Sequence, residues 1–581
     1  MINTTFDYRN KTFKIRRWGG EELPLYLAVD TETNVVENLS VNIPDLSTFQ
    51  FYGGGDTVYF VAIEDIPLFL DAAKYSHIIV HNVAFDFFVI DKALGARFAL
   101  NPWVETQKLH DTQRLYQLVH LAEHGYVANI GQTGLGKICN SIWGVTLDKD
   151  GEERMGFGQF IGKPIEDIPT KYLQYAATDV VATYDLFHYL KEECIKHGSN
   201  TLLSENIQVA GAIGMAYMIR CGIGFDLQAR NAFVEKTETK LAKLRGKLAN
   251  WGLIRGIKGF NTAYKAAIDY IGLTLPLNDD GTYSQKEEHL RQYRDKYAFI
   301  DNFLTYMETE KMLSFVSKLT TDTIHARYDL LKNTGRTGCA SPNMQNLPRA
   351  GGIREMFIPT KKGNVFVDID YSSLELATLA QVCYTNYGKS EMRELINSGE
   401  CLHYNTASDL YEKEKEFITK EERQFSKIPN FGFPANMSPR TFVDYCKGYG
   451  VEITEKRAKE VKSKWTKTYP EMKQFWDIGY DTLNAVTLTG RKRGDCTYTA
   501  FLNTQFQGLA SDGAKIAMYY IAKEGYHLSA FIHDQFVVEC GKEEAQEVMD
   551  NVSKIMIQSM RAVCPDVRIE VEGQIIERFT K

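Results

Sequence analysis

Hydrophobic positions change period several times along the chain, and the changes divide it into blocks. Leu25-Tyr26-Leu27-Ala28-Val29 and His77-Ile78-Ile79-Val80 are short apolar runs of the kind that form buried strands. Between residues 165 and 195 the apolar spacing becomes helical. Lys196-His197-Gly198-Ser199-Asn200 closes that stretch with small polar residues, which predicts a boundary near residue 200. From 201 to 330 helical periodicity dominates, with long charged stretches and few strand signals. A strand signal returns at Val365-Phe366-Val367-Asp368-Ile369. Residues 385 to 485 read as helical except at Pro429, Pro434 and Pro439. Two apolar strands follow, Leu528-Ser529-Ala530-Phe531-Ile532 and Phe536-Val537-Val538.

A chain of 581 residues is too long for one core, so two to four domains are expected. Hydrophobic residues at 44% and charged residues at 24% are ordinary for a globular enzyme. No apolar run approaches a membrane span, and Met1-Ile2-Asn3-Thr4-Thr5 lacks a signal core. The ten cysteines contain no Cys-x-x-Cys pair, which predicts reduced thiols in a cytosol and no zinc site. The net charge of -7 does not advertise an anionic partner. Three basic runs do: Lys236 to Lys258, Lys456 to Lys467, and Arg491-Lys492-Arg493.

Candidate chemistry falls in two places. In the first, Asp30-Thr31-Glu32 follows a strand, where residues two apart share a face. Asn82-Val83-Ala84-Phe85-Asp86 follows the second strand, and Tyr175 and Asp179 sit four apart on a helix. Four acids and a tyrosine in this order can converge on two Mg²⁺ ions, with the tyrosine positioning an attacking water. In the second place, Asp370 and Asp534 lie in strand settings. Between them, Arg423, Lys427 and Phe431 repeat every four residues, which puts them on one helix face. Paired carboxylates with a cationic helix suit phosphoryl transfer assisted by divalent metals.

The first set resembles the DEDD group of 3′–5′ proofreading exonucleases. That resemblance implies that Asp30, Glu32, Asp86 and Asp179 hold metal and that Tyr175 orients water. The second set resembles family A DNA polymerases over about residues 330 to 540, in this order: Thr334-Gly335-Arg336; Pro342-Asn343-Met344-Gln345-Asn346-Leu347-Pro348; Asp370-Tyr371-Ser372-Ser373-Leu374-Glu375; His403; Arg423, Lys427 and Phe431; Asn503 and Gln507-Gly508 with Asp512 and Lys515; and His533-Asp534.

The family resemblance implies that Asp370 and Asp534 carry the metals, with a backbone carbonyl of Ile369 or Tyr371 completing a shell. Glu375 would gate against ribose. His403, Arg423 and Lys427 would hold the triphosphate, with Lys427 the main cation, and Phe431 would stack beside the sugar and base. Arg336, Asn343, Gln345, Asn503, Gln507 and His533 would contact primer and template.

The implied fold is α/β plus α+β: a ribonuclease H-like exonuclease domain over 1–200, then a right-hand polymerase. Its thumb would span 201–330, its palm 331–405 and 486–581, and its fingers 406–485. Primer-template DNA and dNTPs would be the substrates, with two Mg²⁺ per site and Mn²⁺ as a substitute. The chain's length and the absence of a 5′ nuclease segment or thioredoxin-type clamp insertion suggest a phage replicase in the cytoplasm of an infected bacterium. Its partners would then be phage helicase, primase or single-strand binding protein.

The chain departs from the family pattern in four places. Ala435-Asn436 stands where Tyr-Gly is usual, which removes the tyrosine that braces the gate and leaves Asn436 as the nearest alternative donor. Pro429 and Pro434 predict a kink in the nucleotide helix. Gln535 replaces a glutamate, and Ala377 an arginine. A single-subunit RNA polymerase is the alternative enzyme, against which the gate and the exonuclease set argue. A catalytically dead nucleic-acid-binding protein is the alternative of another class, against which the complete set of six carboxylates argues.

Overall fold

The computed structural model describes residues 4–147, 151–197, 201–253, 259–348, 351–477 and 484–580. Arg255 and Lys258 of the first basic run, and residues 198–200 at the expected boundary, lie outside them.

The N-terminal unit is built on a seven-stranded mixed sheet. Its central strand, Tyr26–Thr33, pairs antiparallel with Leu46–Tyr52 and parallel with His77–Val80. Leu109–Asp111 continues the parallel side, and Thr57–Val61 with the hairpin Thr4–Arg17 extends the other. Strand Leu46–Tyr52 is buried along its whole length despite Ser47, Thr48 and Gln50, because each of these polar side chains has a hydrogen-bond partner. Asp111 sits at the C-terminal end of its strand and caps two helices at once. Its carboxylate accepts from Gln113 and Arg114 of helix Thr112–His124, and from the amides of Asn82 and Val83 that open helix Val83–Leu94. It is fully buried.

The C-terminal unit centres on an antiparallel sheet of four strands in the order His527–Ile532, Gln535–Gly541, Asn364–Tyr371, Val571–Ile576. Helices Leu374–Tyr387, Tyr498–Lys523 and Ala545–Arg561 pack around it. Four helices, Leu402–Tyr411, Lys420–Gly432, Pro439–Gly448 and Glu455–Thr468, form a separate lobe around Trp465, Phe433 and Phe442. The helix expected to break at its prolines runs unbroken through Pro429 to Gly432 and ends before Pro434. It starts with a full capping box, Thr419 with Glu422, and Pro429 falls in its last turn, so the missing amide interrupts little of the ladder.

The span from 201 to 330 is less uniform than its sequence suggests. Helices Leu227–Ala249, Phe260–Tyr270 and Ala298–Val316 enclose their own core around Leu244, Tyr264 and Phe303. Helix Thr201–Cys221 packs elsewhere, between the N-terminal sheet and helix Tyr498–Lys523. Gly214 permits that contact: a Cβ there would lie 2.7 Å from the backbone of Met518. The short strands Ile223–Phe225, Thr323–Ile324 and Arg327–Asp329, too brief to leave a periodic signal, also fall in this span.

A column of buried polar groups crosses from one unit to the other through helix Thr201–Cys221. Glu205 accepts from the Asp111 amide at 2.7 Å and pairs with His110 Nδ1 at 3.0 Å. One turn on, Gln208 donates to Asp512 and accepts from Lys515 at 2.6 Å. Lys515 also donates to the carbonyl of Gly335 at 2.8 Å, and Asp512 pairs with Arg491.

Candidate active sites

The N-terminal site lies on strand Tyr26–Thr33. Asp30 and Glu32 share a face of it, and Asp179 reaches them from helix Thr170–Lys196. Oxygens of these three carboxylates lie within 4.8 Å of one another, a spacing that suits a hard divalent cation. Tyr175 is one turn before Asp179 on the same helix and half-buried. Asp86 stands outside the group of three. It is buried, and its Oδ1 accepts from the Thr31 amide at 3.1 Å and the Thr31 hydroxyl at 2.7 Å. Burial pushes its carboxyl up to about 7, against the lowering effect of those two bonds.

Gln50 is a functional neighbour that the sequence reading missed. It is fully buried, pairs in register with Asp30, and donates to Asp30 Oδ2 at 2.8 Å while accepting from Thr48 at 2.9 Å. A lone amide between two phenylalanines was the available signal.

The second site is a cleft of about 500 Å³ between the four-stranded sheet and the helical lobe. Asp370, Asp534, Glu375 and Arg336 line it from the sheet side. His403, Arg423, Lys427 and Phe431 line it from the lobe, and Gln507 and His533 complete its wall. Asp370 ends a strand, and Asp534 is in the two-residue turn between Ile532 and Gln535. His533 adopts a left-handed φ of 61° there, a cost of roughly 1 kcal/mol that the hairpin imposes from both sides. The turn carbonyl of Asp534 accepts from the Tyr371 amide at 3.3 Å. Burial raises the Asp534 carboxyl to about 7, with further contributions from the Asp370 charge and a hydrogen bond to it. Tyr371 turns its buried ring away and donates its hydroxyl to Met556 O at 2.8 Å, so only its backbone faces the cleft.

Arg423, Lys427 and Phe431 lie on one face of helix Lys420–Gly432, as their spacing requires. The Arg423 guanidinium sits 5.0 Å from the centre of the Tyr404 ring, and Phe431 packs at 5.8 Å from His403. The protonation of His403 can be read from its neighbours. The indole of Trp465 can only donate, and it donates to Asn430 Oδ1 at 2.7 Å. The Asn430 amide nitrogen therefore faces His403 Nδ1 at 2.8 Å and donates to it, which leaves the proton on Nε2. Burial, with Lys427 and Arg423 assisting, lowers this histidine to about 4, so the ring is neutral.

Two expectations need correction. Asn436 does not reach Glu375. Its amide donates to the Tyr498 hydroxyl at 2.7 Å and its carbonyl accepts from Lys462 at 2.6 Å, while Glu375 pairs with Arg336. Asp512, Lys515 and Arg491 are fully buried, so they brace the wall instead of meeting a ligand. Asn343, Gln345 and Asn503, expected to meet primer and template, lie outside the lining of the cleft itself. Asn343 accepts from the Gln345 amide at 3.1 Å, Gln345 donates to Thr337 at 2.8 Å, and Asn503 is half-buried one turn before Gln507.

Two carboxylates opposite a cationic helix make this cleft suited to a polyphosphate. The model of DNA polymerase family A matches residues 264–581, more than half of the sequence. The chain belongs to DNA polymerase family A. A 3′-5′ exonuclease family matches residues 15–195, the unit that carries Asp30, Glu32 and Asp179. The chain is 27% identical to DNA polymerase I of Aquifex aeolicus over 502 residues, 78% of this chain and 83% of that protein. It is 24% identical to DNA polymerase I of Geobacillus stearothermophilus and 25% identical to that of Bacillus subtilis, and it spans about half the length of these two. The fold is shared with the polymerase domain of Pol1 from M. smegmatis, solved with DNA primer-template and dNTP. The TM-score is 0.72 at 17% identity, over 97% of this chain and 99% of that one. These polymerase I relatives are bacterial and give the phage assignment no support. Among the described residues no helix is long and apolar enough to cross a membrane.

Proposed function

We propose that this family A polymerase extends a DNA primer along a template with dNTPs in the Asp370–Asp534 cleft, and removes 3′-terminal nucleotides at the Asp30–Glu32–Asp179 site. The observation that carries the reading is the convergence of both carboxylates and both helix cations on one cleft. The donor set fits a divalent cation: Asp370 and Asp534 offer only hard oxygens, close enough to share a hydrogen bond. Two Mg²⁺ ions, or Mn²⁺ in their place, would activate the primer 3′-hydroxyl and neutralise the leaving pyrophosphate.

The chain's own groups supply the rest. Arg423, Lys427 and the Nε2–H of His403 hold the triphosphate, and Phe431 packs beside the sugar. Cations fixed in advance stabilise charge that grows on the leaving group, so their effect falls on turnover as well as binding. Glu375 would exclude a 2′-hydroxyl by contact, and Arg336, paired with it, would meet the primer end. At the exonuclease site Asp30, Glu32 and Asp179 would bind metal directly, Asp86 would support a second ion, and Tyr175 would orient water. Helices Leu227–Ala249 to Ala298–Val316 would act as the thumb.

A primer-extension assay with dNTPs and with NTPs, with and without Mg²⁺, tests the reading. Extension by wild type and none by Asp534→Asn, with exonuclease activity intact in both, is expected. Near-normal extension by Asp534→Asn would overturn it.

A further inference from the structure

The residue after Asp534 is glutamine, yet the structure places a third carboxylate in this sheet, on the neighbouring strand. Asp368 precedes Asp370 by two residues on strand Asn364–Tyr371. The two therefore face the same way, about 7 Å apart along the strand. Asp368 is only 1% exposed. A carboxylate that deep must be satisfied, and it is. Gln535 donates its amide to Oδ1, and Gln574 donates to Oδ2 at 2.9 Å. Gln574 lies directly opposite Asp368 on one side, while Gln535 lies opposite Asp370 on the other and reaches diagonally. Both glutamines are thus committed to Asp368, and neither amide is available to the cleft through those donors.

We propose that Asp368 is a positioning residue for the polymerase site: a fixed negative charge, clamped between Gln535 and Gln574, that strengthens divalent-cation binding by Asp370 and Asp534 and holds Asp370 on its strand. A buried charge at this range acts on a doubly charged ion through poorly screening protein and is weakly screened by salt. The arrangement also accounts for Gln535. A glutamate there would bring two buried carboxylates into contact, whereas an amide can donate. The proposal rests on the reading that Asp370 and Asp534 bind the cation.

The test is direct titration of the full chain with Mn²⁺, followed by the loss of the free-ion paramagnetic resonance signal, in an Asp30→Ala/Glu32→Ala background that silences the other metal site. Asp368→Asn is expected to weaken Mn²⁺ binding by about tenfold. Gln535→Glu sets a second acid against Asp368; the two can share a proton but keep at least one negative charge, so affinity should stay within about threefold. The double exchange Asp368→Asn/Gln535→Glu moves the charge one strand over with the hydrogen bond reversed, and should return affinity to within about threefold of the background protein. Unchanged affinity in Asp368→Asn, or a double exchange no better than Asp368→Asn alone, would overturn the proposal. Asp370→Asn separates the two levels. If it abolishes the palm-site binding while Asp368→Asn does not alter it, only the role of Asp368 fails. If Asp370→Asn also leaves binding unchanged, the metal reading of the cleft fails with it.

Discussion

Arg336 and Glu375 form an ion pair at the mouth of the cleft, and that pair supplies the partner which Ala435 cannot provide. The guanidinium comes from the loop before strand Gly338–Ala340, and the carboxylate from the first turn of helix Leu374–Tyr387. Gly335, just before Arg336, is pinned through its carbonyl by Ser511 at 2.7 Å and Lys515 at 2.8 Å. Glu375, the proposed gate, is therefore braced by the Gly335–Arg336 loop. A charge-assisted hydrogen bond contributes about 1.5–3 kcal/mol, or roughly one to two orders of magnitude in selectivity. Glu375→Ala is expected to lower the dNTP-to-NTP ratio of kcat/KM by that range, and Arg336→Met by a smaller factor. Steady-state kinetics in an exonuclease-deficient background read both. An unchanged ratio in Glu375→Ala would remove it as the gate.

Asp534 makes the metal-free protein sensitive to pH. Its folded carboxyl sits near 7 against an ordinary 3.8, so the native state retains a proton that the unfolded state has lost. Stability from this group is complete below about 3.8 and is lost as pH rises towards 7; Asp86 acts in the same direction. The thermal midpoint of metal-free protein should fall across this window, and less steeply in Asp534→Asn. Added Mg²⁺ should restore it at the upper end, because the ion replaces the proton. A midpoint that rises from pH 5 to pH 7 without metal would contradict the burial of this pair.

At the exonuclease site, Asp30→Ala with Glu32→Ala should stop 3′ degradation of single strands while extension continues. Gln50→Leu is the subtler variant. It removes the amide that aims Asp30 without touching a charge, and is expected to slow degradation by about 10- to 100-fold, as loss of a ligand-orienting group does. Its effect should lie in metal dependence, read as a raised Mg²⁺ concentration for half-maximal cleavage. A Gln50→Leu protein with normal metal dependence would make the bond to Asp30 incidental.

Lys515 lies in the buried column that links the two units, and burial drives its ammonium well below the usual lysine range, with Arg491 adding to the effect. Lys515→Met keeps the volume but removes donors to Gln208 and Gly335. A cost of about 1–3 kcal/mol is expected in chemical denaturation, since the buried Gln208 oxygen loses the Lys515 donor and the Gly335 carbonyl keeps only Ser511. Weaker use of a mismatched primer end should accompany it, because the Gly335–Arg336 loop loosens.

Most of this chemistry was legible because it is local. Asp30 and Glu32 share a strand face, and Arg423, Lys427 and Phe431 a helix face, through fixed periods that a sequence displays. Gln50, Asp368 with Gln535, and the Arg336–Glu375 pair were not legible, since each depends on strand register or loop path between distant segments. Lys515 and Asp512 misled for a related reason. Charged residues on a helix read as solvent-facing unless the sequence reveals that Gly211 and Gly214 let a second helix close over them. Pro429 looked like a kink because its effect depends on distance from a helix end that the pattern placed poorly.

The tautomer of His403 gives the sharpest remaining test. The hydrogen-bond order Trp465, Asn430, His403 is forced by one group that can only donate, and it aims Nε2–H at the cleft. Asn430→Asp keeps the oxygen that Trp465 and Thr406 need but turns the donor facing Nδ1 into an acceptor. The imidazole must then carry a proton on Nδ1. At low pH it can hold both protons, so its pKa rises from about 4, and Nε2 still donates. Above the new pKa it is neutral with its proton on Nδ1, and a lone pair faces the triphosphate. Wild type should therefore show a flat KM for dNTP across the neutral range. Asn430→Asp should match it at about pH 6 and lose about tenfold by roughly pH 8.5, the loss of one charge-assisted donor. Removing the imidazole with His403→Ala should abolish that pH dependence in the Asn430→Asp background, which a general packing defect would not do. Parallel pH profiles for wild type and Asn430→Asp would show that the triphosphate does not read the proton on Nε2.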